Sequence, residues 1–395
     1  MSDNKHLNRY QAIEDVGRRV SHLTGATNFR VMKDYVREWN AVKAERFWSQ
    51  KGRAFQPKVS TILPRYEGAH RFRILLVSQG FGGDLVEGFT SKGHHIAHVS
   101  GQVNNLAEII TEVRPQIVIT TGSPLRFTLK NLEILANRDS SFTQVHYDHD
   151  GIVLANEQMR VISKSHPDFV FSPCKEMIGA IRSQGIAAEK INFGFSPSIH
   201  RVPSNPKFNE STVYIGYAYT NRFKKRGQKS YRQLCMENLI YPFAYHSTQQ
   251  DFQCYGNGNL ELFERATGVD LGERAHGQIS MAATADVYGN AKLCLAVQNY
   301  PDWVTKRTFE SMACGGIVLA NDSEGIRDLF QPGENLFVSN SAENSLRIAT
   351  EVNAMPQRQI IEMRAAAAAA AADHTTIVRA QEILGALDEE NLLSI

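Results

Sequence analysis

The sequence near residue 306 places charged side chains where they can bind phosphate. The segment VTKRTFESMACGGIVLAND has Lys306 and Arg307 at the start of a predicted helix, Glu310 one turn later and a Gly-Gly pair at the helix end. A helix N-terminus attracts anions, so Lys and Arg beside it can hold a diphosphate. A carboxylate offers two oxygens to the vicinal hydroxyls of a ribose. The pattern indicates a nucleotide-binding helix; the alternative is an ordinary capped helix with a solvated glutamate.

A basic loop follows the predicted strand in YIGYAYTNRFKKRG. It carries Arg222, Lys224, Lys225 and Arg226. Fixed cations at a strand end would bind a nucleoside diphosphate and stabilise it as it departs. A solvated basic loop is the alternative interpretation.

The glycine-rich loop with Gly80, Gly82 and Gly83 follows a buried strand and precedes a helix. Its backbone amides could face an anion, and a plain tight turn is the alternative. Leu85 stands where the dinucleotide fingerprint needs its third glycine, and no ribose-binding acid follows the second strand. The sequence therefore argues against a nicotinamide enzyme, and we expect no cofactor.

The segment HYDHDG, residues 146–151, follows another predicted strand and supplies the candidate catalytic groups Asp148, His149 and Asp150. A carboxylate or imidazole there could deprotonate an acceptor hydroxyl, and structural hydrogen bonding is the alternative role. Two His and two Asp could also ligate a metal ion. Neighbours on a short strand point to opposite faces, however, so we expect no metal site.

Short apolar strands alternate with helices twice along the chain, which predicts two parallel-sheet α/β domains with a cleft at the carboxyl ends of their strands. We place the first domain at 71–200, the second at 205–375 and a C-terminal helix at 376–395. The stretch MRAAAAAAAADHTTIVRAQEILGAL is predicted to be strongly helical. Residues 1–70 form a basic extension with helical periodicity.

Composition, charge and cysteine spacing further restrict the class of protein. The 395 residues are 42% hydrophobic with a net charge of only +2, which suits a two-domain protein with no obligatory polyanion partner. The N-terminus is polar without a signal-like apolar run, and no segment is long and apolar enough to span a membrane. The five scattered cysteines fit neither a disulfide framework nor a zinc site. We expect a cytoplasmic protein whose cysteines are small buried apolar residues.

The segment TKRTFESMACGGIVLANDSEGIRDLFQPGENLFV closely resembles the nucleotide-binding segment of group 1 glycosyltransferases of the GT-B fold, and within them the CgeB-like branch. HTTIVRAQEIL, residues 374–384, resembles the closing helix of that family. The resemblance spans most of residues 71–388 and is strong over 280–384. It implies two Rossmann-like domains that face each other across a cleft, with the last helix crossing back to the first domain.

The resemblance also implies roles for the charged residues. Glu310 would bind the donor ribose, while Arg307 and Arg222 would meet the diphosphate with help from Lys225 or Lys306. The Gly80–Gly83 loop would approach the sugar phosphate, and HYDHDG resembles an aromatic-x-x-Asp segment of the family. Many members have a second glutamate, eight positions before this one, that contacts the transferred sugar; here that position is Asp302.

The function that the resemblance implies is transfer of a sugar from a nucleotide-diphosphate sugar, for which we expect a UDP-sugar, to an acceptor hydroxyl. We expect a metal-independent reaction with retention of configuration, in which the leaving phosphate can take the acceptor proton. The acceptor would be a glycan precursor or a metabolite. The basic, aromatic N-terminal segment supports a second hypothesis, a modified base of DNA. Two alternatives stay open: a nucleotide-sugar epimerase and a non-catalytic GT-B binding protein.

Overall fold

The computed structural model describes residues 58–62, 71–78, 82–100, 103–122, 128–138, 141–204, 211–216, 230–256 and 259–393. They form two α/β domains, each built on a largely parallel sheet, as predicted. No helix among these residues is both long and apolar enough to cross a membrane. All five cysteines are buried and none forms a disulfide.

The first domain contains the strands β1 (Lys58–Ile62), β2 (Arg73–Ser78), β3 (His95–Ser100), β4 (Ile117–Thr121), β5 (Thr143–Tyr147), β6 (Phe169–Ser172) and β7 (Ala187–Lys190). Its helices are α1 (Gly83–Ser91), α2 (Leu106–Val113), α3 (Leu129–Ala136), α4 (Ala155–Ser165) and α5 (Lys175–Arg182), with a 3₁₀ turn at Gly151–Leu154. The sheet order is β1-β3-β2-β4-β5-β6-β7, and only β1 is antiparallel to its neighbour.

Strand β1 lies inside the N-terminal extension that the sequence marked as helical. It pairs with β3, Lys58 opposite Ser100 and Ile62 opposite Ile96. The first sheet therefore begins before residue 71. The remaining residues of the extension, including its aromatic and basic side chains, lie outside the described residues.

The second domain contains β8 (Thr212–Ile215), β9 (Phe252–Tyr255), β10 (Ala275–His276), β11 (Leu293–Ala296), β12 (Val318–Asn321) and β13 (Phe337–Ser339). Its helices are α6 (Tyr231–Leu239), α7 (Tyr241–Tyr245), α8 (Asn259–Thr267), α9 (Met281–Asn290), α10 (Lys306–Ala313), α11 (Glu324–Leu329), α12 (Ala342–Ala354) and α13 (Gln357–Ala371), with a 3₁₀ turn at Gly272–Arg274. The sheet order is β10-β9-β8-β11-β12-β13, and every pair is parallel.

Both sheets reverse their strand order next to their first parallel strand, β2 in one domain and β8 in the other. A reversal of this kind opens a crevice at the carboxyl ends of the two central strands, where open α/β sheets bind ligands. In the first domain the crevice lies after β2 and β4, beside the start of α1. In the second it lies after β8 and β11, beside the start of α10.

The predicted C-terminal helical stretch is in fact two helices, α13 and α14 (Thr376–Glu389). The chain between the two helices pairs with Phe195, which lies in the segment that leads from the first domain to the second. Phe195 N donates to His374 O (3.0 Å), and Thr376 N donates to Phe195 O (2.9 Å). Thr375 Oγ1 then accepts a hydrogen bond from Val378 N (3.2 Å) and caps α14. Tertiary pairing and capping thus end α13 at the close of the alanine run and begin a new helix at Thr376.

Helix α14 packs on the first domain, where the resemblance places it. Ala380, Ile383 and Leu387 are fully buried in the same core cluster as Phe89 of α1. Gly88 permits this contact, because a Cβ at that position would lie 2.2 Å from the Thr376 carbonyl oxygen. The chain passes between the domains twice, in the segment with Phe195 and in the segment that leads into α14. These two segments and α14 connect the domains on one side of the cleft.

Candidate active site between the domains

The first turn of α10 is held in place by a buried glutamine in the loop after β11. Thr305 N donates to Gln298 Oε1 (2.9 Å), and Gln298 Nε2 donates to Thr308 Oγ1 (3.0 Å). Gln298 is fully buried, so these bonds are protected from water. The N-terminus of α10 therefore has a fixed orientation toward the cleft.

Glu310 is fully buried between two cations of its own helix. Arg307 Nη1 donates to Glu310 Oε2 (2.8 Å), and Lys306 Nζ lies 3.3 Å from Glu310 Oε1. Burial by itself disfavours the carboxylate, but Lys306 and Arg307 outweigh it and lower the pKa of Glu310 below its ordinary value. Glu310 is therefore an anion at neutral pH.

One oxygen of Glu310 is poorly satisfied. Oε1 accepts no hydrogen bond of good geometry from the described residues, although Lys306 and His200 lie near it. A carboxylate oxygen has two lone pairs, so Oε1 can accept a hydrogen bond from a ligand in addition to its ion pair with Lys306. The first turns of α10 thus offer an acceptor suited to a sugar hydroxyl.

His200, which the sequence did not single out, lies on the other side of Glu310. Its Nε2 is 3.7 Å from Glu310 Oε1 and 3.4 Å from Thr284 Oγ1. Thr284 Oγ1 itself donates to Met281 O (2.5 Å), so the proton of the pair sits on His200 Nε2. Burial is the largest influence on the ring and lowers the pKa of His200, which is therefore neutral.

An ion pair crosses the cleft between the two domains. The Asp84 carboxylate, in the first turn of α1, contacts Lys306 Nζ directly. Gly82 precedes α1 with φ +102°, a left-handed conformation that suits glycine. A Cβ there would lie 3.0 Å from the Thr121 side chain, so the glycine also permits a close approach to β4. The loop that carries Gly82 and Gly83 thus aims α1 at α10.

A cleft between the domains surrounds this ion pair. It is lined by Gly82, Asp84, Leu85, Tyr147, His149, Phe193, Gly194, Lys306, Thr376 and Arg379. Three residues of the sequence-predicted site are in this set: Gly82, His149 and Lys306. The buried Arg379 of α14 is the second cation, and its guanidinium donates to Phe193 O (3.3 Å) and pairs with Glu382.

The three candidate catalytic residues after β5 lie in different environments. Asp148 is fully buried and accepts hydrogen bonds from Gly151 N (2.9 Å) and Ser172 Oγ (2.7 Å), so it fixes the turn and is not among the cleft-lining residues. Asp150 Oδ2 accepts from Gln158 Nε2 (3.2 Å). Of the three, only His149 lines the cleft.

The two histidines of HYDHDG do not face a common metal site. His146 is fully buried, with its ring nitrogens 2.9 Å from Thr120 Oγ1 and 2.8 Å from Gln158 Oε1. His149 faces the cleft instead. No group of three or more His, Cys, Asp or Glu side chains in the described part of the chain is placed to hold a metal ion.

Burial raises the pKa of Asp148 from 3.8 to about 6. This shift predicts that the free energy of unfolding depends on pH. Between these pH values the folded state binds more protons than the unfolded state, so the Asp148 contribution to the unfolding free energy falls as pH rises. We expect the Tm of Asp148→Asn, relative to wild type, to be higher at about pH 7.5 than at about pH 4.5. Thermal denaturation of both proteins measures this difference. The same relative Tm at both pH values would contradict the raised pKa.

Asp302 contacts the first domain. Its Oδ2 accepts a hydrogen bond from Lys175 N (2.7 Å) at the start of α5, and Lys190 Nζ donates to its carbonyl oxygen (3.0 Å). Nearby, Lys175 Nζ pairs with Glu324 (2.6 Å) and Asp328 (3.1 Å) of α11. The Asp302 carboxylate therefore caps α5, a helix of the first domain.

Asp302→Ala is expected to lower the unfolding free energy by about 1 kcal/mol, the usual cost of losing a helix cap. We expect UDP and UDP-glucose affinities to change by the same factor, because the capping oxygen faces α5. Thermal denaturation and titration calorimetry measure the two effects. Asp328→Asn, which removes only an exposed ion pair, is the control. A selective loss of UDP-glucose affinity would instead place Asp302 against the sugar.

Three predicted donor-binding residues, Gly80, Arg222 and Lys225, lie outside the described residues. The described chain stops at Gly216, at the carboxyl end of β8, and resumes at Ser230. Strand β8 is the neighbour of β11, whose following loop leads into α10.

Residues 232–385 match the family model described as Glycosyl transferase-like. The matched segment runs from α6 into α14 and contains the Lys306–Glu310 cluster. The second domain is therefore a glycosyltransferase domain, which confirms the enzyme class predicted from the sequence. A comparison with curated proteins finds no match.

Solved structures with the same architecture include sucrose-phosphate synthase from Thermosynechococcus elongatus, at 15% identity and a TM-score of 0.55, covering 80% of this chain and 98% of that one. An alpha-glucosyltransferase in complex with UDP and a 13-mer DNA containing an HMU base has 13% identity and a TM-score of 0.58, covering 81% and 100%. Anabaena HepE in complex with UDP and glucose has 14% identity and a TM-score of 0.54, covering 81% and 100%.

These likenesses confirm the GT-B fold predicted from the sequence. The CgeB-like branch stays a prediction. The residues that sequence reasoning missed, Asp84, Tyr147, His200 and Arg379, come from four separate segments of the chain. Asp84 directly follows the glycine-rich loop and Arg379 lies in the HTTIVR motif, so both cleft-lining residues lie in or next to motifs that the sequence analysis singled out.

Proposed function

We propose that the protein transfers a sugar from a nucleotide-diphosphate sugar, a UDP-sugar, to an acceptor hydroxyl. The observation that carries the proposal is the buried, ionised Glu310, whose Oε1 accepts no good hydrogen bond among the described residues. A vicinal diol would donate to this oxygen and to Oε2. The ribose of the donor has such a diol.

The diphosphate would lie at the start of α10. Lys306 and Arg307 are there, and the helix N-terminus adds a partial positive charge. Arg222 and Lys225 of the basic loop and the amides of the Gly80–Gly83 loop complete the proposed donor site. Four basic side chains can neutralise the leaving group, so the proposed reaction needs no metal ion or other cofactor.

The proposed reaction retains configuration at the anomeric carbon. The acceptor oxygen forms a bond to the anomeric carbon while the bond between that carbon and the diphosphate oxygen breaks. The departing phosphate takes the proton of the acceptor hydroxyl. His149, which lines the cleft, would orient the acceptor. Asp148 has no role in proton transfer in this proposal, because the turn after β5 donates to its Oδ1 and Ser172 of β6 donates to its Oδ2.

The similar structures support UDP as the nucleotide, since two of them contain UDP. One of them also holds DNA, which keeps a DNA base among the proposed acceptors beside a glycan precursor and a metabolite. The basic segment before residue 58 would be the contact for DNA. A loss of DNA binding at raised salt would support that contact, and no binding at low salt would eliminate it.

A donor screen tests the proposal and its alternatives. The protein is incubated with radiolabelled UDP-, GDP-, ADP- and TDP-glucose, and binding and products are followed by thermal shift and chromatography. We expect UDP-glucose to raise Tm and to release UDP slowly without an acceptor. An isomerised donor sugar would identify an epimerase. No Tm shift with any of the four would favour a non-catalytic binding protein.

A further inference from the structure

The Asp84–Lys306 ion pair occupies the place where the donor diphosphate would bind. Asp84 lies in the first turn of α1 and Lys306 is the first residue of α10, so both groups stand at helix N-termini that face each other. The side chain of Lys306 is 12% exposed and that of Asp84 is 22% exposed. The pair is thus largely shielded from water, and each domain supplies one partner.

Among the described residues, two cations, Lys306 and Arg307, face two carboxylates, Asp84 and Glu310. A diphosphate bound to Lys306 would bring its negative oxygens against the Asp84 carboxylate, which contacts the same ammonium group. Like charges repel strongly in a shielded site, so Asp84 must move away when the diphosphate binds there.

Asp84 is the carboxylate that can leave. Glu310 is fully buried, is held by Arg307 of its own helix and is needed for the ribose. Asp84 is more exposed and belongs to the opposite domain, so its side chain can move away from Lys306 without disturbing the Arg307–Glu310 pair.

We propose that Asp84 is an internal anion that occupies the diphosphate position on Lys306 until a ligand displaces it. The inference rests on the proposed function, because it takes Lys306 as a diphosphate-binding residue. Asp84 thereby lowers the affinity of a ligand whose second phosphate must displace it from Lys306, whereas UMP lacks that phosphate and does not have to displace Asp84. In the ligand-free protein Asp84 gives Lys306 a second carboxylate partner beside Glu310.

Asp84→Asn tests the proposal by titration calorimetry with UDP and with UMP. We expect the Kd for UDP to fall about tenfold. This is the change expected if the state with the Asp84–Lys306 pair is about ten times more populated than the state that can bind UDP. The gain for UMP should be clearly smaller. Glu112→Gln is the control, because it removes one exposed carboxylate from α2 in the same domain and should leave both Kd values unchanged.

A double-mutant cycle identifies the partner of Asp84. In a Lys306→Met background, Asp84→Asn should give no gain in UDP affinity, because the two side chains act through each other. Equal or weaker UDP binding by Asp84→Asn, or the same gain for UMP and UDP, would overturn the proposal. If wild-type protein and Asp84→Asn both failed to bind UDP, the proposed function itself would be refuted. Wild-type binding without a gain in the variant would refute only the role of Asp84.

Discussion

Glu310→Gln is expected to reduce sugar transfer and UDP affinity by about a hundredfold, since two hydrogen bonds to a charged acceptor contribute at least about 1.5 kcal/mol each. The amide keeps the shape of the side chain but replaces one acceptor oxygen with a donor. That donor would face Arg307 or Lys306, which are themselves donors. Calorimetry with UDP and steady-state kinetics measure the two losses.

The same substitution has a structural cost that must be measured separately. Arg307 and Lys306 would lose a buried counter-charge, and breaking such a cluster costs about 3 kcal/mol. Thermal denaturation shows whether the variant is folded at the assay temperature. Glu351→Gln, which removes an exposed carboxylate paired with Arg347 on α12, is the matched control and should bind UDP normally. A folded Glu310→Gln protein with wild-type UDP affinity would leave Glu310 only a structural role.

The sheets were predictable because buried parallel strands are continuous apolar runs. RILLVS and QIVITT have no polar alternation, so they stand out from the amphipathic helices between them. Strand β1 was missed because it is an antiparallel edge strand within a polar, basic stretch. Strand β10 has only two residues, Ala275 and His276, which is too short for any period to show.

The Lys306–Glu310 cluster was predictable because Lys306, Arg307 and Glu310 lie on two consecutive turns of one helix. Local spacing alone brings them together. Asp84 and His200 reach the same cluster from other segments, and only the packing of the domains places them there. No period or motif in a single sequence encodes such a contact.

The choice among Asp148, His149 and Asp150 shows the same limit at short range. The motif contains all three, but the turn after β5 decides their directions. Asp148 Oδ1 accepts two backbone N–H bonds, from Asp150 (3.0 Å) and Gly151 (2.9 Å), which turns that carboxylate into the backbone. His149, the next residue, then faces the cleft.

Gly88→Ala is expected to lower the free energy of unfolding by about 3 kcal/mol, the upper range for overpacking a closely packed contact. A Cβ at Gly88 would lie 2.2 Å from Thr376 O and 3.1 Å from Ala380 Cβ. The first neighbour is backbone at the start of α14, so a side-chain rotation cannot relieve the clash. Helix α14 would have to shift away from α1, which also displaces the cleft-lining Arg379.

Gly179→Ala on α5 is the matched control for this prediction. It also adds one methyl group to a helix of the first domain, but no atom lies within 4 Å of the added Cβ. An exposed helix gains up to about 1 kcal/mol from this change, so the two variants should shift Tm in opposite directions. Limited proteolysis should cleave near residue 375 sooner in Gly88→Ala than in wild type. Equal stability of Gly88→Ala and wild type would mean that α14 does not pack against α1 in solution, and the crossing of the chain back to the first domain would have to be abandoned.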